Sequence, residues 1–243
     1  MRTIRRPAVL ALLPAFALMP VMTAATSHAQ EATPPPSAGC EALAASPVAA
    51  RTGMPGTPMA GHGHEVAGEH VELDQLYIDM MLPHHASIIA LAETAQGRLA
   101  DARLQALARS IITAQSAENE EMRAWREEWY GSAEPMPMDE SMMGMMMEML
   151  PGMGDMASME MQMDAQALVS AFCAGEDPDL TFIDLVIPHH AMAVQASETV
   201  RDQATHEELR ALAGRVIRDQ QAEIDELEAI RAELTGAGTP AAS

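Results

Sequence analysis

The sequence predicts an all-α chain: an antiparallel four-helix bundle built from two repeated helical hairpins. Three observations carry this. The first is an internal repeat at a fixed offset of 105 residues. It maps Leu76-Tyr77-Ile78-Asp79-Met80-Met81-Leu82-Pro83-His84-His85-Ala86 onto Thr181-Phe182-Ile183-Asp184-Leu185-Val186-Ile187-Pro188-His189-His190-Ala191. Without a gap it also maps Ile111-Ile112, Gln115 and Glu118 onto Val216-Ile217, Gln220 and Glu223. The second is composition: Ala, Leu, Glu, Gln and Arg dominate the repeated segments, and few Gly or Pro residues interrupt them. The third is punctuation. Asp177-Pro178 reads as an N-cap with proline in the first turn, Thr205-His206-Glu207-Glu208 as a capping box, and Gly131 and Gly236 as helix stops. Helices are expected over 71–97, 101–130, 178–202 and 205–235.

In chain order, residues 1–29 read as a secretory signal peptide. Arg2, Arg5 and Arg6 precede an apolar run, Ala8 to Ala25, that Pro14 and Pro20 break, and Ser27-His28-Ala29 is a small-x-small cleavage signal. A membrane anchor is the alternative, but the run is too short and interrupted to span a bilayer. The expectation is cleavage after Ala29, no membrane span afterwards, and a periplasmic or secreted product. Residues 30–69 form an arm rich in Pro, Gly, Ala and Ser, carrying Met54, Met59, His62, His64 and His70. The first hairpin occupies 70–130, a methionine-rich linker 131–176, the second hairpin 177–236, and a disordered tail 237–243. In an oxidising compartment Cys40 and Cys173 are expected to form a disulfide; a soft-metal thiolate pair is the other reading.

Charge and composition exclude some functions. Asp and Glu number 35 against 14 cations, every one of them Arg, for a net charge of −21. Removing residues 1–29 takes away three arginines and no acid, which makes this −24. Such a chain repels phosphate backbones and anionic membrane surfaces. At 3% aromatic residues it has no platform for stacking bases. Nucleic acid is therefore not an expected partner. No Gly-rich phosphate loop, nucleophile elbow or Cys-x-x-Cys pair is present.

The chemistry lies in polar residues placed where a core should be. On the second helix Ile111, Gln115, Glu118, Met122 and Trp125 are spaced 4, 3, 4, 3, an inward seam; the fourth repeats it as Val216, Gln220, Glu223, Leu227 and Ile230. A buried carboxylate must be paired, protonated or bound to metal, since leaving it bare costs several kcal/mol. A satisfied polar network or a water-accessible Glu is the alternative. Possible partners come from the first and third helices. Met80, His84 and Ser87 share a face, as do Leu185, His189 and Met192, while His85 and His190 sit about 100° round. Pro83 and Pro188 are expected to bend the helices beside Asp79 and Asp184.

The chain has 22 methionines, and 13 of them fall within Met136–Met163. Thioether sulfur is soft, neutral and cannot be protonated away, so it selects Cu(I) over zinc, iron or calcium, while imidazole holds copper in either oxidation state. Met136, Met138, Met142, Met143, Met145, Met146, Met147 and Met149, with His62 and His64, are therefore expected as flexible accessory capture groups. An amphipathic Met-rich helix that fills a groove is the alternative.

The two Asp…Pro-His-His segments resemble the signature of the domain of unknown function 305 family, over roughly 70–130 and 175–235. The resemblance implies a ferritin-like bundle and a role in copper binding or resistance. On matching positions it implies metal-site candidacy for Asp79, Met80, His84, His85, Asp184, His189, His190 and Met192. Gln115, Glu118, Gln220 and Glu223 are expected as outer or extra ligands. The resulting expectation is an exported, non-enzymatic protein with copper as its cofactor and cargo. It would sequester Cu(I), with Cu(II) as the alternative oxidation state, and with a copper exporter or periplasmic chaperone as partner. Two other readings remain. One is a ferritin-like metal-dependent oxidase, against which the missing Glu-x2-His pattern of di-iron bundles counts. The other is a metal-free module in which Met136–Met163 docks to a partner.

Overall fold

The computed structural model describes Cys40, residues 72–152 and residues 154–236. The expected signal peptide, the arm with His62 and His64, and the tail lie outside the described residues. Seven helices and no strand occur among the described residues: α1 Leu73–Ala95, α2 Ala102–Tyr130, α3 Glu140–Met149, α4 Met156–Met163, α5 Ala165–Ala174, α6 Pro178–Gln203 and α7 Glu207–Leu234.

The four long helices form two hairpins, α1–α2 and α6–α7, which meet chiefly through α1 against α6, with α2 touching α7. Burial follows from that arrangement. α1 buries 16 of its 23 residues, almost all round, whereas α2 buries seven of 29 along one stripe from Leu104 to Arg126. A helix buried on every side is a hub. α1 accordingly also carries α3, α4 and α5. Pro83 and Pro188 both lie well inside their helices and not in a first turn.

The hairpins are tied together by reciprocal caps. Asp74, in the first turn of α1, reaches across to the α6–α7 turn and accepts from the backbone N–H of Thr205 (2.9 Å) and His206 (2.8 Å). Asp179, in the first turn of α6, does the same at the α1–α2 turn, accepting from Ala100 (2.8 Å) and Asp101 (3.0 Å). The capping box expected at Thr205–Glu208 does not form: His206 is the N-cap and makes no side-chain cap bond. The carboxylate of Asp74 holds the Thr205 backbone N–H, which the Glu208 side chain of a capping box would take. Elsewhere the local signals act as read. Asp177 accepts from Asp179 and Leu180 ahead of Pro178, and Gly131 ends α2 at φ 80°, a left-handed conformation that costs glycine nothing. Gly175 joins α5 to α6 where a Cβ would sit 2.1 Å from Thr181 Oγ1.

The methionine-rich linker corrects an expectation. It is folded, not a flexible arm. Asp139, Asp155 and Asp164 cap α3, α4 and α5, accepting from Met142, Ser158 and from Gln166 and Ala167 respectively. Met142, Met146 and Met159 are buried in one apolar cluster with Met80, Met81, Met122 and Met192. Unbranched, polarizable side chains suit such an irregular interface. Cys173, on α5, is joined to Cys40 by a disulfide with a Cα–Cα distance of 5.6 Å.

The core is divided. One apolar cluster contains Met80, Met81, Met122, Met192 and Val216; the other contains Ile88, Ile111, Val186 and Leu227. On each long helix the residues between its two clusters are the polar ones: His84 and His85, Gln115 and Glu118, His189 and His190, Gln220 and Glu223. A polar layer thus crosses the middle of the bundle.

Candidate metal centre

The layer is built around two stacked imidazoles. His84 from α1 and His189 from α6 are fully buried, with ring centroids 3.6 Å apart and planes inclined by 30°. His85 and His190, also fully buried, flank this pair with centroids 6.1 and 6.0 Å from their neighbours. All four rings face inward because α1 and α6 are each covered by several other helices.

Hydrogen bonds fix the tautomers. His189 Nε2 lies 3.0 Å from the His84 carbonyl and 3.0 Å from Ser87 Oγ. A carbonyl only accepts, so Nε2 carries the proton and Nδ1 presents a bare lone pair. His85 Nε2 donates to Glu118 Oε2 at 2.9 Å, and His190 Nε2 to Glu223 Oε2 at 2.7 Å. Each again leaves Nδ1 as a lone pair. Those three Nδ1 atoms, both ring nitrogens of His84, and the amide groups of Gln115 and Gln220 are buried without a partner. An unsatisfied buried polar group costs about 1–3 kcal/mol. A carboxylate holding the far nitrogen of an imidazole is the arrangement that aims and enriches a metal-binding histidine. Glu118 and Glu223 are only 13% and 17% exposed, so these pairs are shielded from water and counter-ions. Burial first, then the neighbouring imidazoles, push the basicity of His84 and His189 well below the usual 6.5. Both rings are neutral at pH 7, the form that binds metal.

The donor set fits a soft or borderline cation. Met80 and Met192 are buried at the boundary of the layer, one helical turn from His84 and His189. Among the described residues no three His, Cys, Asp or Glu side chains gather as a metal cage. Imidazole pairs bordered by thioethers are what the layer offers, an N/S donor set of the kind soft or borderline cations take.

Two expected ligands stand elsewhere. Asp79 is buried against Arg126, whose Nη2 also lies 3.2 Å from its second oxygen, and Arg126 donates onward to the Ser132 carbonyl at 2.6 Å. Asp184 pairs with Arg231 at the surface. The reason is helical: five residues ahead of the first histidine is about 140° round the helix. Among the capture groups, Met142 and Met146 are core, Met136, Met138, Met143, Met145 and Met149 pack half-buried against it, and Met147 is exposed.

The sequence put Ser87 on the His84 face without giving it a role, and it missed Gln162. Ser87 Oγ links the His84 carbonyl (2.7 Å), the Gln162 carbonyl (2.5 Å) and His189, which lays α4 directly over the stacked pair. Gln162 is buried there with its Oε1 unpaired. Nothing local in the sequence signals that α4 folds back onto this spot. Away from the layer, at the α6–α7 turn, His206 stacks on Trp129 at 3.6 Å and bonds Asp74 through Nδ1 at 2.7 Å.

Comparison with protein-family models gives one match: a domain of unknown function, DUF305, over residues 74–231. The chain belongs to the DUF305 family. The match is a single span that contains both hairpins and the methionine-rich helices between them. Among solved structures, CopM in its Cu(I)-bound form is 28% identical, covers 66% of this chain and 96% of its own, and has a TM-score of 0.52. CopM in a silver-bound form is 29% identical over 66% and 96%, with a TM-score of 0.51. A DUF305 protein of Streptomyces coelicolor shares the fold at 21% identity, over 67% and 93%, with a TM-score of 0.54. No curated protein matches. No described helix is long and apolar enough to cross a membrane.

Proposed function

We propose that this DUF305 protein is exported and sequesters copper, chiefly Cu(I), in its buried histidine layer, as a binding and trafficking protein and not as an enzyme. The observation that carries the reading is the row of buried imidazole nitrogens left as lone pairs, aimed by Glu118 and Glu223 and bordered by Met80 and Met192. Structural likeness to CopM, solved with Cu(I), Cu(II) and silver, supports it. The apolar run Ala8 to Ala25, preceded by Arg2, Arg5 and Arg6 and followed by Ser27-His28-Ala29, supports export, and a copper exporter or periplasmic chaperone is the partner expected for such cargo. The oxidase reading has less support, because Glu118 and Glu223 are engaged by histidines and Asp79 and Asp184 by arginines, and among the described residues no carboxylate cage for two irons gathers.

Titration of the chain lacking residues 1–29 with Cu(I) against a competing chelator tests this. At least one equivalent should bind tightly, and the His84→Ala/His189→Ala variant should lose that binding while remaining helical. Unchanged affinity in the variant, or less than one equivalent in the parent, contradicts it.

A further inference from the structure

We propose a second soft-cation site, separate from the histidine layer, in a surface cleft where the end of α4 meets the start of α3. The cleft has a volume of about 340 Å³, and its lining includes Met138, Met143, Met163, Glu160, Asp164 and Gln166. Three methionines from two stretches of chain therefore line one opening: Met138 just before the α3 cap and Met143 in the first turns of α3, with Met163 at the last residue of α4.

The structure separates these three from the other methionines. Met142, Met146 and Met159 are buried outright, and their burial explains them as packing. Met147, Met156 and Met161 stand out in solvent on the helix surfaces. Met138, Met143 and Met163 are half-buried around an opening, packed against the core on one side and lining the cleft on the other. A cleft about ten times the volume of one water leaves room for unbranched thioether side chains to swing onto an ion. Asp164 is occupied in capping α5, so Glu160 is the carboxylate free to balance the charge of a bound monovalent ion. An apolar occupant would pack on the methionines but leave the carboxylate unused. Thioether donors with one carboxylate select Cu(I) or Ag(I) over zinc, calcium or magnesium.

The site differs from the histidine layer in two measurable ways. It opens to solvent, so ions exchange there without the bundle opening. Its sulfur donors have no proton to compete with the metal, so binding there is the same at pH 7 and pH 5.

The test uses Ag(I), which needs no reductant, with the chain lacking residues 1–29, equilibrium dialysis and metal analysis at pH 7 and pH 5. The Met138→Leu/Met143→Leu/Met163→Leu variant keeps side-chain volume. It should lose one equivalent at both pH values with unchanged helix content. The His84→Ala/His189→Ala variant should keep that equivalent at both. If the triple variant does not fold, Met143→Leu alone should weaken the pH 5 equivalent about tenfold or more, the loss of one of three donors. Unchanged Ag(I) stoichiometry and affinity in the leucine variants, or a cleft equivalent that disappears at pH 5 in the parent, overturns the proposal. Loss of the histidine layer's binding alone leaves this site intact, so the two readings fail separately.

Discussion

A bundle core does not ordinarily tolerate four histidines, and the cost here is set residue by residue. His84 and His189 have their proton affinity depressed by burial, so in the folded state they stay neutral where an unfolded chain would bind a proton near pH 6.5. The unfolded state binds more protons below that pH, so stability is complete above it and is lost as the pH falls. The slope has an upper limit of about 1.4 kcal/mol per pH unit for each ring. Chemical denaturation of the metal-free protein at pH 7.5 and 5.5 should show this loss, and a His84→Leu/His189→Leu variant should flatten it. A second contrast lies in the acids mistaken for ligands. Asp79→Ala strands the buried guanidinium of Arg126 and should cost about 3–5 kcal/mol. Asp184→Ala breaks an exposed pair and should cost under about 1 kcal/mol. Equal effects in denaturant melts would refute the distinction drawn between them.

At the scale of elements, the long helices were legible and the short ones were not. The 4, 3, 4, 3 seam through Gln115 and Glu118 is a local periodicity, and both residues take the inward stripe it assigns. Helix ends marked by Asp177 and Gly131 are likewise local chemistry. The methionine-rich stretch misled because Gly and acids interrupt it. Yet the acids Asp139, Asp155 and Asp164 are the caps that start each short helix, and the methionine faces become apolar only against α1. The long-range Asp74 cap pre-empting the Thr205 capping box is the same lesson: a partner 131 residues away leaves no trace in the local pattern. Met146→Ala, in the α3–α1 interface, should cost about 2–5 kcal/mol, whereas Met147→Ala, on the exposed side of the same helix, should stay within about 0.5 kcal/mol. A neutral Met146→Ala would mean that α3 does not pack on the bundle in solution.

For the molecule as a whole, the 105-residue offset reappears as paired interactions. Asp74 and Asp179 cap the opposite hairpin, Asp79–Arg126 corresponds to Asp184–Arg231, and His85–Glu118 to His190–Glu223. The pairing fails where Ser87 stands opposite Met192. There α4 enters, and Ser87 bridges it to His189. The layer is therefore asymmetric at its centre, which the repeat alone would not suggest. A cation held by this layer binds the folded state only, so it should raise stability as well as occupy the site. Long-range nitrogen-15 NMR of the imidazoles, with and without saturating Ag(I), reads the central claim directly. Before metal, His85, His189 and His190 should carry a proton on Nε2; with metal, the nitrogen signals of His84 and His189 should move strongly and couple to silver. Saturation of the protein with silver while all four buried imidazoles keep their metal-free shifts would contradict the account.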